Sequence, residues 1–229
     1  MNDLRKTLAQ TKTITFDCYG TLIDWKGGLA QSFRELFGRT VEGRIDELFG
    51  LYVEVEATVE GGPYRPYRDV LSKVAARLGS ELGMPLSEKR AQALASMLPG
   101  WPPFPDTNEA LTRLKRSFRL GVLSNIDRDL FAGTARQFPI EFDFVITAQD
   151  VRAYKPSQAH FRRMLETHGP KQSVLHVAQS LYHDGKPCGE LDLAYAWINR
   201  YKQVNDTAIR PIAEFPDLIS LARLADGEE

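Results

Sequence analysis

The chain has 229 residues, of which 43% are hydrophobic and 26% are charged, and its formal net charge is -1. This composition supports a packed core and excludes extensive disorder, and the lack of a basic surplus argues against nucleic acid as a partner. No apolar run is long enough to span a bilayer, so we expect no membrane contact. The first residues, MNDLRKTLAQTK, lack the apolar stretch of a secretory signal, and the two cysteines, Cys18 and Cys188, form no disulfide framework. We therefore expect a cytoplasmic protein in a reduced compartment.

Short apolar runs rich in β-branched residues predict buried strands. In chain order they are TITFD (13–17), FRLGVLSN (118–125), FDFVITAQD (142–150), SVLHVAQS (173–180) and YAWINR (195–200). Amphipathic segments of helical period, such as DTNEALTRLKRSF, RDLFAGTARQF and SQAHFRRMLETHG, lie between most of them. The alternation predicts an α/β fold with a doubly wound parallel sheet and helices on both faces.

Residues 23–100 interrupt this alternation with helical patterns only. These are GLAQSFRELFG, GRIDELFGLYVEVEATVE, YRDVLSKVAARLG and SEKRAQALASML, separated by Gly and Pro in EGGPYRPYR and LGMP and closed by the stiff return PGWPPFPD. We therefore predict a core of residues 1–22 and 101–229 with a helical unit of residues 23–100 inserted after the first strand. The alternative is a set of extra helices fused into one core.

Polar side chains follow four of the predicted strands. They are Asp17, Tyr19 and Thr21 after the first, Ser124, Asn125 and Asp127 after the second, Arg152, Tyr154 and Lys155 after the third, and Gln179, Ser180, His183 and Asp184 after the fourth. Ligands of an open parallel sheet bind beyond the carboxyl ends of its strands, so this pattern predicts a site there. A lone aspartate at such a position is usually a turn residue, but four polar ends are harder to dismiss. His176 and His183 have no second ligand at metal-site spacing, and we interpret both as structural.

The motifs FDCYGTLID, LSNID, YKP and SLYHD, in this order, resemble the four motifs of the haloacid dehalogenase (HAD) superfamily. The later WINR is similar to the L-2-haloacid dehalogenase (type II) branch of that superfamily. The resemblance covers residues 12–22 and 104–202, and the inserted helical unit resembles the cap that lies between the first two motifs. The first motif is fairly specific, whereas Ser-Asn or Lys-Pro alone would be weak.

The resemblance implies a role for each matching position. Asp17 would be the nucleophile, and Thr21 and Ser124 would bind its oxygens or those of the substrate. Lys155 would neutralise carboxylate charge, and Asp184 would lie near Lys155 and the attacking water. In the same way, Asn125 would contribute to the site of the leaving halide.

These roles also make physical sense. A carboxylate nucleophile divides a difficult substitution into ester formation and ester hydrolysis. An ammonium within about 4–6 Å keeps that carboxylate ionised. Backbone N–H groups of the turn after Asp17 can stabilise the oxyanion that forms when water attacks the ester, and closure of the cap would exclude bulk water from the first step.

Tyr19 favours substitution at carbon over phosphoryl transfer. The superfamily's phosphatases carry a second aspartate at this position as general acid, and a phenol with a pKa of about 10 is a poor acid at neutral pH. A halide leaves without a proton and needs neither that acid nor a metal. Asp17 and Asp184 alone are a sparse set for Mg²⁺, so we predict no cofactor, with Mg²⁺ required only if the chain is a phosphatase.

Several positions depart from the haloacid dehalogenase pattern. Phe161 stands where those enzymes carry a tyrosine, and Gln179 and Leu181 replace a serine and an asparagine of the fourth motif. The cap arginine that would receive the substrate carboxylate is not evident, since Phe49 or a neighbour occupies its place. Our substrate-binding candidates are Tyr19, Asn125, Arg65 and Arg68, and Arg44 lies near the expected cap position in the sequence. An arginine can bind a carboxylate through two parallel hydrogen bonds.

We predict from these observations a hydrolase in which Asp17 displaces halide from a small 2-haloacid and forms an aspartyl ester, giving a 2-hydroxy acid. The expected partner is a small-molecule substrate, with no nucleic acid, no membrane and a homodimer as one allowed oligomeric state. Two alternatives remain open. One is an Mg²⁺-dependent small-molecule phosphatase on the same fold, and the other is a non-catalytic protein that binds a metabolite.

Overall fold

The computed structural model describes residues 2–228, which form two compact units. The sheet unit contains the chain up to Ile23, Pro103–Asn125 and the chain from Gln137 onward. The helical unit contains Asp24–Pro102 and Ile126–Arg136. The segment Ile126–Arg136 thus groups with the helical unit, whereas the boundaries drawn from sequence placed it in the core.

The sheet unit is built on a parallel sheet, which confirms the predicted α/β class. Within residues 2–228 its strands are β1 (Thr13–Phe16), β2 (Arg119–Ser124), β3 (Phe144–Thr147), β4 (Val174–Ala178), β5 (Ala194–Ile198) and β6 (Ala213–Phe215), in the order β3-β2-β1-β4-β5-β6. All neighbouring pairs are parallel. The order reverses between β1 and β4, and such a switch point is where sheets of this kind bind ligands.

The helices complete both units. Over residues 2–228 they are α1 (Asn2–Gln10), α2 (Trp25–Phe37), α3 (Ile45–Glu60), α4 (Tyr67–Glu81), α5 (Glu88–Met97), α6 (Thr107–Leu114), α7 (Arg128–Ala135), α8 (Ala148–Val151), α9 (Ala159–His168), α10 (Lys186–Glu190) and α11 (Leu218–Ala225). Helices α2 to α5 and α7 belong to the helical unit, and the others belong to the sheet unit. None of the helices described is both long and apolar enough to cross a membrane.

The central strand β1 fixes the register of its neighbours. All four of its residues are buried, as its β-branched and aromatic side chains require. Thr15 pairs with Gly121 of β2 on one side and with His176 of β4 on the other. Because the three strands are parallel and in this register, their carboxyl ends bring the segments after Phe16, Ser124 and Ala178 to one edge of the sheet.

Two strands differ most from the sequence prediction. The third strand ends at Thr147 instead of extending to residue 150, because Thr147 and Asp150 form a capping box that starts α8: the Thr147 N–H donates to Asp150 Oδ2 at 2.8 Å and the Asp150 N–H donates to Thr147 Oγ1 at 3.3 Å. The short edge strand β6 was not predicted, since only three residues form it and none is fully buried.

The helical unit is closed by the proline-rich return segment. The Trp101 indole donates its Nε1–H to Ser32 Oγ at 2.9 Å, and the Ser32 hydroxyl donates to the Gly28 carbonyl at 2.9 Å. Gly28 is required on packing grounds, because a Cβ at this position would lie 2.2 Å from the Trp101 ring. The return segment is therefore anchored to α2 through one buried hydrogen-bond chain and one close approach.

Asp127 explains why residues 126–136 belong to the helical unit. Its carboxylate accepts hydrogen bonds from the backbone N–H groups of Tyr67 at 2.9 Å and Arg68 at 3.0 Å, at the start of α4. These N–H groups have no partner within their own helix, and the negative charge also suits the positive end of the helix dipole. Asp127, which sequence analysis grouped with the polar strand ends, thus serves as a cap for α4.

Candidate active site

The turn after β1 places Asp17 and Thr21 side by side. Gly20 adopts a positive φ of 95°, which a glycine accommodates without strain. The Thr21 hydroxyl donates to Asp17 Oδ2 at 3.1 Å and accepts from the backbone N–H of Gln179 at 2.9 Å. Since Gln179 follows β4, this hydroxyl links the first and fourth motifs and fixes the orientation of the Asp17 carboxylate.

Lys155 connects the two carboxylates that were predicted to be catalytic. Its Nζ lies 2.8 Å from Asp17 Oδ1, 2.7 Å from Asp184 Oδ1 and 2.9 Å from the carbonyl oxygen of Leu123. An ammonium has three N–H donors, so these contacts use all of them. Lys155 is 2% exposed, Asp184 is fully buried and Asp17 is 8% exposed, so only Asp17 retains some accessibility.

Burial and charge set the protonation of this cluster. Burial raises the pKa of Asp17, the Lys155 ammonium opposes the rise, and the charge of Asp184 adds to it, so the pKa of Asp17 lies above its ordinary 3.8. Burial also disfavours charge on Asp184, but Lys155 and a hydrogen bond from His176 outweigh it and hold the pKa of Asp184 well below its usual range. The two carboxylates overcome the burial of Lys155 and raise the pKa of its ammonium. The structure therefore favours an ionised Asp184 and a cationic Lys155.

Ser124 and Asn125 lie at the end of β2, as predicted, but they contribute differently. The Asn125 side chain donates from Nδ2 to the Lys155 carbonyl at 3.1 Å and accepts from the Lys155 N–H at 2.7 Å. It therefore holds the backbone that carries the ammonium. The Ser124 Oγ is buried and has no hydrogen-bond partner among residues 2–228, which leaves it available to a bound molecule.

Asp184 is held by a further group that sequence analysis did not place in the site. His176 Nε2 lies 3.0 Å from Asp184 Oδ1, and His176 Nδ1 lies 2.8 Å from Thr15 Oγ1. The other oxygen, Asp184 Oδ2, is buried and has no hydrogen-bond partner among the described residues. The β1–β4 register that brings Thr15 beside His176 could not be read from either strand alone.

The contacts of Tyr19, Arg44 and Arg68 do not test their predicted role in substrate binding. Tyr19 lies half-buried in the turn after Asp17, and its backbone bridges to Ile23. Arg44 pairs with Glu47 at 2.6 Å on the exposed surface of the helical unit, and Arg68 pairs with Asp129 in the same unit. Their assignment to substrate binding stays a prediction.

Arg65 and Arg68 line a polar cleft of about 540 Å³ that is formed by the helical unit alone. The side chains of α4 and α5 supply the rest of its wall, including Asp69, Lys73 and Glu88. Charges of both signs meet there, so the cleft does not by itself select an anion. The substrate-binding role of Arg65 also stays a prediction.

The donor set around Asp17 fits Mg²⁺ poorly. Lys155 contacts one oxygen of each carboxylate and Thr21 contacts the second oxygen of Asp17, so among these four oxygens only Asp184 Oδ2 has no hydrogen-bond partner within the described residues. Magnesium requires a near-octahedral shell of oxygens. Over residues 2–228, no group of three or more His, Cys, Asp or Glu side chains could hold a metal ion.

The sheet unit thus combines a doubly wound parallel sheet with a buried carboxylate–lysine–carboxylate cluster of Asp17, Lys155 and Asp184 at its switch point. The model of the haloacid dehalogenase-like hydrolases matches residues 11–180, and the chain belongs to this family.

Individual relatives agree with that membership. The (S)-2-haloacid dehalogenase of Pseudomonas putida is 25% identical over 199 residues, which are 82% of this chain and 84% of that protein. The crystal structure of an L-2-haloacid dehalogenase with 26% identity covers 93% of this chain and 99% of its own, with a TM-score of 0.78. The L-2-haloacid dehalogenase from Xanthobacter autotrophicus with chloropropionic acid covalently bound is 20% identical, covers 96% of this chain and 100% of its own, and has a TM-score of 0.82; at that identity it supports the fold alone.

Proposed function

We propose that this hydrolase is a 2-haloacid dehalogenase of the (S)-specific type, with Asp17 as nucleophile and without a metal or other cofactor. The observation that carries the proposal is the Lys155 ammonium, which lies 2.8 Å from Asp17 Oδ1 and 2.7 Å from Asp184 Oδ1 in a buried site. A buried cation between two carboxylates is costly to desolvate, so a functional reason for it is expected. The relatives with this activity support the choice of substrate class.

In the first step an oxygen of Asp17 attacks C2 of the haloacid. A new carbon–oxygen bond forms, the carbon–halogen bond breaks, and its electron pair leaves with the halide, with inversion at C2. No proton is transferred in this step, so no general acid is needed. This agrees with Tyr19 in place of an aspartate two residues after Asp17. Lys155 and Thr21 hold the carboxylate, and the buried Ser124 Oγ is free to donate to the bound substrate.

In the second step water attacks the carbonyl carbon of the aspartyl ester. Asp184 Oδ2 accepts the water proton, and the oxyanion is stabilised by Lys155 and by the Cys18 N–H, which hydrogen-bonds the Asp17 carboxyl. The tetrahedral intermediate collapses as the ester carbon–oxygen bond breaks, and the product alkoxide takes the proton back from Asp184. The second proton of the attacking water stays on the re-formed Asp17 carboxyl and is then released to solvent. Asp17 and Asp184 are both ionised again, and the product is a 2-hydroxy acid.

The experiment is halide release from the two enantiomers of 2-chloropropionate by the purified chain and by Asp17→Asn. The proposal predicts release from the (S) enantiomer by the wild type and none by the variant during the first turnover. Release that survives in Asp17→Asn would remove the nucleophile. Turnover of p-nitrophenyl phosphate that a chelator abolishes, without halide release, would replace the proposal with the phosphatase alternative. No turnover of either substrate, combined with stabilisation by a bound metabolite, would favour the binding-protein alternative.

A further inference from the structure

A threonine and a histidine on adjacent strands form a buried polar pair beneath the carboxylate cluster. Thr15 of β1 and His176 of β4 are register partners, and both are fully buried. The Thr15 hydroxyl lies 2.8 Å from His176 Nδ1. A buried apolar strand pair would be expected at this position, and polar groups in it require hydrogen-bond partners. The pair has such a partner on its other side, in Asp184.

The hydrogen on His176 Nε2 is fixed by what it contacts. Asp184 Oδ1 lies 3.0 Å from Nε2 and also accepts from Lys155 at 2.7 Å. An ionised carboxylate can only accept, so the hydrogen lies on Nε2 and points at Asp184. Both donors reach the same carboxylate oxygen, and Oδ2 is left buried without a partner among residues 2–228.

We propose that His176 is a positioning residue for Asp184, which holds Oδ1 so that Oδ2 is turned to the water that opens the Asp17 ester. This inference rests on the proposed function. Thr15 fixes the plane of the imidazole through Nδ1, and His176 passes that orientation to Asp184 through Nε2. The hydrogen bonds that join Thr15, His176 and Asp184 therefore affect the second chemical step, because the first step needs no proton transfer to Asp184.

The first step changes what Lys155 contacts but leaves the contact between His176 and Asp184 in place. When Asp17 becomes an ester it loses its charge, so its contact with Lys155 is no longer an ion pair. Lys155 still contacts Asp184 Oδ1 and the Leu123 carbonyl, and His176, which belongs to β4, is the second donor that holds Oδ1 during ester hydrolysis. His176 is also enclosed by the Phe161 ring, edge-on at 5.0 Å, and by the Tyr195 ring at 6.3 Å. Phe161 carries no hydroxyl and contributes no hydrogen bond to this network.

The test separates the two steps in time. Rapid quenching of wild type, His176→Phe and His176→Gln with (S)-2-chloropropionate gives the rate of halide release in the first turnover and the fraction of Asp17 held as ester, read by mass spectrometry. The inference predicts that ester hydrolysis slows by about tenfold to a hundredfold in His176→Phe, as expected for loss of a hydrogen bond to a charged group, while ester formation changes little. The ester then accumulates. The amide that His176→Gln introduces can donate to Asp184 and should restore part of the rate.

Two further variants separate positioning from general damage. Thr15→Val removes only the bond to Nδ1 and should slow the same step to a smaller extent, which keeps the test available if His176→Phe folds poorly. His160→Phe is the matched control, because His160 is equally buried but its Nε2 contacts the Ser124 carbonyl at 3.3 Å instead of Asp184. Burial lowers the pKa of His160 to about 3, so its loss removes no charge at neutral pH. The ratio of the two step rates should be unchanged in His160→Phe.

Each outcome has one meaning. A selective loss of ester hydrolysis in His176→Phe and Thr15→Val, with partial recovery in His176→Gln, supports the inference. Equal loss of both steps, or no loss in any of these variants, overturns it while the Asp17 ester still supports the proposed function. If the wild type forms no ester at Asp17, the proposed function fails first and this inference fails with it.

Discussion

The two units of the molecule handle buried acidic groups in different ways. In the sheet unit, Asp17 and Asp184 share one buried ammonium. In the helical unit, the half-buried Glu56 accepts from the phenols of Tyr52 at 2.8 Å and Tyr67 at 2.6 Å. Burial raises the pKa of Glu56, and the two phenols oppose the rise.

The difference shows which of the two clusters keeps its charge. A carboxyl group held by phenols can become neutral at little cost, whereas Asp184 beside Lys155 stays ionised because its pKa is held below the usual range. Two arginines of the helical unit, Arg44 and Arg68, form exposed ion pairs, which contribute little to the free energy of unfolding. The sheet unit therefore holds the buried charges that the proposed mechanism requires.

Replacing Lys155 should have the largest effect. Lys155→Met would leave two carboxylates close together and buried without their cation, so we expect unfolding to require about 3–5 kcal/mol less free energy and halide release to fall by at least about a hundredfold. Urea denaturation and halide assays measure both. Lys171→Met, which breaks the exposed pair with Asp192, is the control and should change neither. A stable and active Lys155→Met variant would show that the buried charges of the sheet unit are not required, and the contrast with the helical unit would be wrong.

The arginine variants test whether the helical unit contributes to substrate binding. If Arg65 or Arg68 grips the substrate carboxylate, its replacement by alanine should raise KM for (S)-2-chloropropionate by about tenfold or more, as expected for a charged hydrogen bond, with a smaller change in kcat. Arg44→Ala should behave as wild type, because its guanidinium is engaged with Glu47 on the surface. An unchanged KM in both Arg65→Ala and Arg68→Ala would remove the assignment made from sequence.

The pH dependence of ester formation should report the environment of Asp17. Only the ionised carboxylate attacks, so the rate of first-turnover halide release is full above its pKa and is lost as the pH falls through it. Because the pKa of Asp17 is raised, the midpoint should lie above pH 3.8. Asp184→Asn removes a charge that raises this pKa, so its midpoint should lie lower than in wild type. A shift in the opposite direction would contradict the charge assignment.

Two glycines of the helical unit give the smallest expected effects, with opposite signs. Gly28→Ala should lower the free energy of unfolding by about 1–3 kcal/mol, because its Cβ would lie 2.2 Å from the Trp101 ring. Gly50→Ala, in the middle of α3 with nothing within 4 Å of the new Cβ, should raise it by about 0.5–1 kcal/mol. Denaturant titrations of both variants measure the difference, and equal effects would contradict the packing described.

Much of the sheet unit could be predicted from the sequence, because strand ends in a parallel sheet must meet at one edge. Asp17, Thr21, Lys155 and Asp184 follow different strands and come together as expected. The role of His176 could not be predicted, because it depends on strand register. His176 lies in a buried strand, and only its pairing with Thr15 shows why a polar residue is there.

Other parts depended on partners that are distant in the sequence. The contribution of Asn125 to the halide site stays a prediction, and the sequence did not show that both ends of its amide hold the Lys155 backbone, 30 residues away. Asp127 stands in the same motif yet caps α4, about 60 residues earlier in the chain. The capping box of Thr147 and Asp150 was the exception, since the pattern Thr-x-x-Asp could have ended the third strand correctly.

The most direct test of the central claim is a single turnover of (S)-2-chloropropionate in ¹⁸O-water with enzyme in excess, followed by mass spectrometry of the Asp17 peptide and of the product. If Asp17 forms the ester and water opens it at the carbonyl carbon, the Asp17 peptide gains one ¹⁸O and the hydroxyl oxygen of the product is unlabelled. Label in the product hydroxyl with none on Asp17 would mean that water attacks C2 directly, and the nucleophile assigned here would be wrong.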